Sequence, residues 1–208
     1  MRLIGQYDSP FVRRVAITMT LYGIEFEHAP LSAFGDFAAL LESNPLGKVP
    51  ALALDDGELL FDSQMILDHL DELAGPERAL MPPLGPRRRA VLRRSAVALG
   101  LADKAIALRN ELYRRADGSR DADTVERLTT QVGSALAWLE AAAPAPWFGE
   151  TFAADDLITS VAVTFLKRKP PAHFAEARYP ALEAQNRAAE ALPAFAAHPF
   201  PDTGAAPA

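Results

Sequence analysis

The sequence predicts a small α/β domain followed by an all-helical one. Short stretches of strand and helix character alternate over roughly the first 75 residues, and strand character then vanishes. Between the two regimes, Gly75 to Pro86 holds four prolines and two glycines, the composition of a linker.

The elements follow in order. Residues 2–7 are predicted as a strand, punctuated by Asp8-Ser9-Pro10. From Phe11 the apolar positions Phe11, Val12, Val15, Ala16 and Met19 have helical spacing, and Gly23 stops that helix. Phe26 to Ala29 alternates as a second strand would, and Phe37 to Glu42 reads as a short helix ended before Asn44-Pro45. Ala51 to Leu54 and Glu58 to Phe61 flank Asp55-Asp56-Gly57, and an Asp-Gly pair between apolar runs is a strong hairpin signal. Ser63 to Leu73 is predicted helical, with Ile66, Leu67, Leu70 and Leu73 on one face. The order is β-α-β-α-β-β-α. Beyond the linker, long stretches rich in Ala, Leu and Arg predict helices over Arg87 to Arg115, Asp123 to Ala142 and Ala154 to Lys167. Pro170-Pro171 breaks the next connection and Tyr179 to Ala191 forms another helix. Predicted boundaries are 1–75 for the α/β domain, 76–86 for the linker, 87–198 for the helical domain and 199–208 for a disordered tail.

Composition narrows the function. The 208 residues are 50% hydrophobic and 23% charged, an ordinary globular balance. A net charge of −6 argues against a dedicated binder of nucleic acid or anionic membrane. No apolar run approaches the roughly 18–20 residues that span a bilayer, and the apolar start is too short for a signal-peptide core, so a cytoplasmic location is expected. The absence of cysteine removes disulfides, thiolate metal sites and cysteine nucleophiles. His28, His69, His173 and His198 lack metal-ligand spacing and are expected as scattered surface residues, so no metal is expected. Arg87-Arg88-Arg89 with Arg93-Arg94 is expected as a solvated or dimer-facing surface, and Trp138 and Trp147 as core.

Chemistry concentrates at three places. Ser9-Pro10 is a helix start, with serine capping free amides and proline at the first helical position. The same position carries about half a positive charge, so an anion placed there is stabilised. Arg13, one turn further in, could add positive potential or be a solvated or ion-paired arginine. At Val49-Pro50 the proline opens a strand. A cis bond there would turn the Val49 amide and carbonyl outward to pair with an extended peptide, and a turn proline is the plainer reading. Asp62-Ser63 lies between a strand and a helix. Either residue could be only a cap. Together they offer a hydroxyl and an amide to a carboxylate and a counter-charge to an ammonium. Lys48 could meet a second carboxylate. These groups suit a small peptide with a free carboxylate and a free amine.

These segments resemble the glutathione transferase superfamily over nearly the whole chain. The residues that carry it are Ser9-Pro10-Phe11-Val12-Arg13-Arg14-Val15, Asn44-Pro45-Leu46-Gly47-Lys48-Val49-Pro50-Ala51-Leu52 and Phe61-Asp62-Ser63, with Leu80-Met81-Pro82-Pro83 in the linker. The resemblance implies a thioredoxin-like N-terminal domain binding glutathione, an all-α C-terminal domain forming most of the pocket for a hydrophobic electrophile, and a homodimer. It implies that Ser9 activates the thiol, that Val49 pairs with the peptide backbone, that Pro50 is cis, and that Asp62 and Ser63 grip the γ-glutamyl end. Phe11 and Lys48 complete the expected glutathione contacts, and Phe11, Arg109, Tyr113 and Phe165 are candidates for the electrophile side. Two departures stand out. Some classes carry a catalytic tyrosine near Tyr7, and Ser9 is preferred because it sits at the helix start. Where many members open a buried helix with a Ser/Thr-x-x-Asp box, this chain has Ala153 opposite Asp156. The expected activity is transfer of the glutathione thiol to an electrophile. The alternatives are glutathione-dependent disulfide or peroxide reduction without a protein cysteine, and a non-enzymatic interaction protein.

Overall fold

The structure, a computed structural model, describes residues 1–116, 119–142, 146–169, 174–175 and 178–201. His173, the Pro170-Pro171 break and residues 202–208 of the expected tail lie outside them. In chain order the elements are β1 (Arg2–Ile4), α1 (Pro10–Tyr22), β2 (Glu27–Ala29), α2 (Phe37–Ser43), β3 (Ala51–Ala53), β4 (Leu59–Phe61), α3 (Ser63–Ala74), α4 (Gly85–Tyr113), α5 (Ala122–Ala142), α6 (Ala154–Arg168), α7 (Pro180–Glu190) and α8 (Pro193–Ala196). The chain divides into two compact units, one of residues 1–83 with the described part of 191–203, the other of residues 84–190.

In the first unit the strands form one sheet in the order β2-β1-β3-β4, with β1 parallel to β2 and the other pairs antiparallel. This is the predicted β-α-β-α-β-β-α arrangement. Helix α1 packs on α3. It is buried almost all round: Val12, Val15, Ala16, Ile17 and Met19 are fully covered. Gly23 ends it in the left-handed region (φ 70), donating to Thr20 O while Ile24 N–H reaches Met19 O, which satisfies the last carbonyls as only an easily left-handed residue can. Helix α3 buries Ile66, Leu67 and Leu70, each contributing about 1.5–3 kcal/mol of apolar burial. Leu73 was expected on the same face but is 52% exposed, because the helix ends within a turn of it.

The proline-rich connection is tied to the first unit. The Tyr22 hydroxyl bonds Asp71 and accepts the Leu80 N–H (2.7 Å), Asp71 accepts the Met81 N–H (3.3 Å), and Arg78 Nη2 donates to Tyr22 O (2.6 Å). Helix α8, which sequence reading did not anticipate, also belongs here. Its four residues are too few to show a period, and Phe195 is fully buried against α1.

In the second unit α4 packs on α5 and α6, and α7 on α5 and α6. Helix α6 is buried from Ala154 to Leu166. Its start is held by half a capping box: the Asp156 carboxylate accepts the Ala153 N–H (2.9 Å), and Ala153 has no oxygen to return the bond. Asp156 also accepts from Phe148 N–H (2.9 Å) and Gln185 Nε2 (2.7 Å), yet burial raises its pKa to about 6. Of the arginine run, expected as a solvated or dimer-facing surface, Arg87, Arg89 and Arg93 are exposed, yet three of the five have partners within the unit. Arg94 Nε meets the buried Asp155 at 2.5 Å, Arg93 lies over the Trp138 ring, and Arg87 Nη2 bonds Thr151 Oγ1 (2.6 Å). A guanidinium stem covers apolar surface while its head finds an acid or an aromatic face. Trp138 and Trp147, expected as core, are each only half-buried.

Candidate functional site

The sheet register gathers the singled-out segments at one end of the first unit. Ile4 is level with Ala29 and Ala51, and Ala51 with Phe61. One step beyond that row lie Gly5, Pro30, Pro50 and Asp62. The β1–α1 turn, the Val49-Pro50 step and the start of α3 therefore share one sheet end. Gly5 shows how closely they meet. Its φ is 129°, and a Cβ there would sit 2.6 Å from Val12 Cγ2 and 2.8 Å from Val49 Cβ. Only glycine lets α1 and Val49 close on the end of β1.

Ser9 is the N-cap of α1 (φ −79°, ψ 123°), with Pro10 at the first helical position. Its Oγ accepts the Val12 N–H at 3.4 Å, a long contact that holds the hydroxyl weakly. The first turn of α1 contains no acid, so its positive end is not offset from within. Phe11 follows, half-buried. The Val49–Pro50 peptide is cis, and Val49 stands outside the β1–β3 register, which begins at Ala51. The Lys48 side chain is exposed, while its carbonyl is fixed by Asn44 Nδ2 (2.9 Å).

Asp62 caps α3 with φ 64° and ψ 124°, a positive φ in a non-glycine residue. Such backbone costs about 1–3 kcal/mol and is found where surrounding structure enforces it, often at ligand clamps. Its carboxylate accepts the Gln64 N–H (2.7 Å), and Ser63 is buried at the first helical position.

Two features escaped sequence reading. The first is Arg14, 3% exposed on α1 and bonded through Nη2 to Gln64 Oε1 (3.1 Å). Burial lowers its pKa to about 10 against the opposing pull of Asp62 and Asp71, so it stays charged at neutral pH. The signal was available: two arginines interrupt an otherwise apolar helix that is too apolar to have a wet face. Arg13, expected as solvated or ion-paired, is 1% exposed and donates to the carbonyls of His198 (2.8 Å) and Phe195 (3.5 Å). The second is an aromatic cluster. His28 stacks on Tyr7 with centroids 4.0 Å apart, His198 meets the Tyr7 edge at 5.1 Å, and Thr20 Oγ1 lies 2.7 Å from His198 Nε2. Two of the histidines expected to be scattered thus converge on one ring. Burial raises the Tyr7 pKa and lowers that of His198, the latter helped by His28 and Arg13. A recess of about 250 Å³ opens there, lined by Gln6, Tyr7, Asp8, His28, Pro30 and Pro201. Among the described residues no cluster of His, Asp or Glu could hold a metal ion, and no helix is long and apolar enough to cross a membrane.

Ser9, Phe11, Val49, Pro50, Asp62 and Ser63 thus belong to one unit and one sheet end, whereas Arg109, Tyr113 and Phe165 belong to the second unit. A family model described as glutathione S-transferase, N-terminal domain, matches residues 3–78. The GST-like protein YibF of Escherichia coli is 34% identical over 142 residues, 67% of this chain and 68% of that protein. Maleylacetoacetate isomerase of Pseudomonas aeruginosa is 37% identical over 105 residues, about half of each chain (48% and 49%). Among solved structures, the glutathione S-transferase of Methylobacterium radiotolerans in complex with glutathione sulfonate superposes with a TM-score of 0.89 at 27% identity, covering 100% of this chain and 98% of that one. The glutathione-bound enzyme of Methylobacillus flagellatus gives 0.88 at 27% identity, covering 95% and 98%. With the family match, a relative 34% identical over two thirds of its length and full-length structural likeness in agreement, this chain belongs to the glutathione S-transferase superfamily.

Proposed function

We propose that this chain binds glutathione at the sheet end built by Ser9, Val49 and Asp62-Ser63 and transfers its thiol to an electrophilic small molecule. The observation that supports this most is the convergence of an uncompensated helix start, a strand entry outside the sheet register and a strained acidic helix cap at one place. The γ-glutamyl carboxylate takes the amide and hydroxyl of Ser63, its ammonium faces Asp62, and the peptide backbone pairs with Val49. The thiol then lies at the start of α1. A free thiol has a pKa of roughly 8.5, so little of it is thiolate at neutral pH. Lowering it by about two units takes roughly 2.7 kcal/mol. One hydrogen bond to a charged group contributes about 1.5–3 kcal/mol and the helix end about 0.3–1. Ser9 Oγ, held only by a long contact, turns to donate that bond, and the thiolate attacks the electrophile. Phe11 and Lys48 complete the glutathione contacts, and a homodimer working in the cytoplasm completes the reading.

A panel of electrophiles assayed with glutathione tests this. Stoichiometric loss of the thiol with formation of a thioether is the expected result. Turnover with no loss of glutathione would favour isomerisation, the reaction in the name of the Pseudomonas relative. There the thiolate adds to a conjugated double bond, the new single bond rotates, and elimination returns the thiolate.

A further inference from the structure

Residues 191–201 return to the first unit, and α8 lies against α1. Arg13 holds them by two carbonyls, those of His198 and Phe195, with its guanidinium carbon 5.5 Å from the centre of the buried Phe195 ring. The His198 ring makes the rest of the hold. Its Nε2 lies 2.7 Å from Thr20 Oγ1, and its ring meets Tyr7 and Phe26 with centroids 5.1 and 5.7 Å away. Tyr7 is stacked on His28, and His28 Nε2 lies 2.7 Å from the Gly5 carbonyl. A carbonyl only accepts, so Nε2 carries the hydrogen and Nδ1 is where a second proton would go. His198 is the one titratable residue in 191–201. The groups facing it are Arg13 from α1, Tyr7 and Asp8 from the β1–α1 turn, and His28 from β2. Glu25 and Glu27 flank Phe26, but both are exposed and Glu27 lies 3.9 Å from Arg2 Nε.

We propose that His198, with Tyr7, His28 and Arg13, forms an acid-released clasp: protonation of the two imidazoles gathers like charges with Arg13 around the Tyr7 ring and frees residues 191–201 from α1. Release takes the Pro201 wall from the recess beside the Ser9 turn. Histidine is the side chain whose charge changes in the mildly acidic range. Burial lowers the His198 pKa, and the charges of His28 and Arg13 lower it further. The held ring therefore binds a proton less readily than the freed one. The hold is complete above the ordinary histidine value of about 6.5 and is lost as pH falls below it. A clasp held by packing alone would not respond to pH. The proposal is independent of the glutathione reading.

Amide hydrogen exchange reads the clasp in the intact chain. The amides of Phe195, Ala196, Ala197 and His198 all donate to carbonyls of Leu192, Pro193 or Phe195, so their exchange, corrected for the intrinsic effect of pH, reports release. Between about pH 7.5 and 5.5 wild type should lose about threefold or more of its protection over residues 191–201, with α3 unchanged. His198→Gln keeps an amide able to bond Thr20 and cannot become charged, and should abolish the pH dependence of the segment. His28→Gln keeps an N–H for the Gly5 carbonyl and should reduce that dependence. If His198→Gln leaves the segment unprotected at both pH values, His28→Gln carries the test. No fall in wild type, an equal fall in α3, or an undiminished fall in the deciding variant would overturn the clasp and leave the glutathione reading untouched.

Discussion

Replacing Ser9 by alanine removes one hydroxyl and leaves the rest of the helix start in place. Its Oγ is 3.4 Å from the Val12 N–H, so the lost cap costs about 0.5–1 kcal/mol, the low end of the range for such caps. For a chain of this length that lowers the unfolding midpoint by about 1–4 °C. The thiolate loses more. A hydrogen bond to a charged group is worth about 1.5–3 kcal/mol, whereas the amides of α1, with no acid in their first turn, still contribute about 0.3–1. The bound thiol should therefore rise by about one to two pKa units, since each unit is about 1.4 kcal/mol. The anion is the form that loses its partner, so the shift is upward, and the thiolate fraction near pH 6.5 falls by about tenfold. Thiolate absorbance titrated against pH, with glutathione saturating, measures this directly, and Tyr7→Phe serves as the control. Equal thiol pKa values in wild type and Ser9→Ala, or a rise only in Tyr7→Phe, would refute the reasoning.

Other perturbations test the frame around the site. Gly5→Ala places a methyl 2.6 Å from Val12 and 2.8 Å from Val49 at a φ of 129°, and should cost about 2–4 kcal/mol by chemical unfolding together with weakened glutathione binding. Arg94→Met strands the buried Asp155 carboxylate and should destabilise by about 3–5 kcal/mol, with Arg94→Met/Asp155→Leu recovering much of the loss. Asp156 gives a pH signature. Its folded pKa of about 6 lies above the unfolded value, so the stability it contributes is complete below the unfolded pKa and is lost as pH rises through 6. Between pH 5 and 7 wild type should lose about 1 kcal/mol from this group, and Asp156→Ala should lack that component while being less stable at both pH values. Unfolding free energies at the two pH values check it.

Much of the first unit was legible because its signals are local. Pro10 and Gly23 bound α1, Asp56-Gly57 turns the hairpin, and Asp62-Ser63 starts α3, each through backbone preferences that act within a few residues. What escaped is held by contacts distant in sequence. Helix α8 is only four residues long, and the segment containing it is fixed by Arg13, some 180 positions earlier. Tyr7, His28 and His198 meet because the sheet and α1 bring them together, which spacing cannot encode. The arginines at 87, 93 and 94 read as a charged face, whereas their partners Thr151, Trp138 and Asp155 come from later elements. At the site, residue types and order pointed to Ser9, Val49 and Asp62-Ser63. Gly5 emerged from the register of β1, and Arg14 from the all-round burial of α1, which the arginine pair in so apolar a helix already signalled.

The central claim is that the end of the sheet bearing Gly5, Pro50 and Asp62 is the glutathione site. A crystal structure of the chain with glutathione tests it most directly. The γ-glutamyl group should lie on Asp62-Ser63, the peptide backbone should pair with Val49, and the sulfur should sit within hydrogen-bond distance of Ser9 Oγ. Glutathione seated elsewhere, or seated there with its sulfur turned from Ser9 toward Tyr7, would contradict the account.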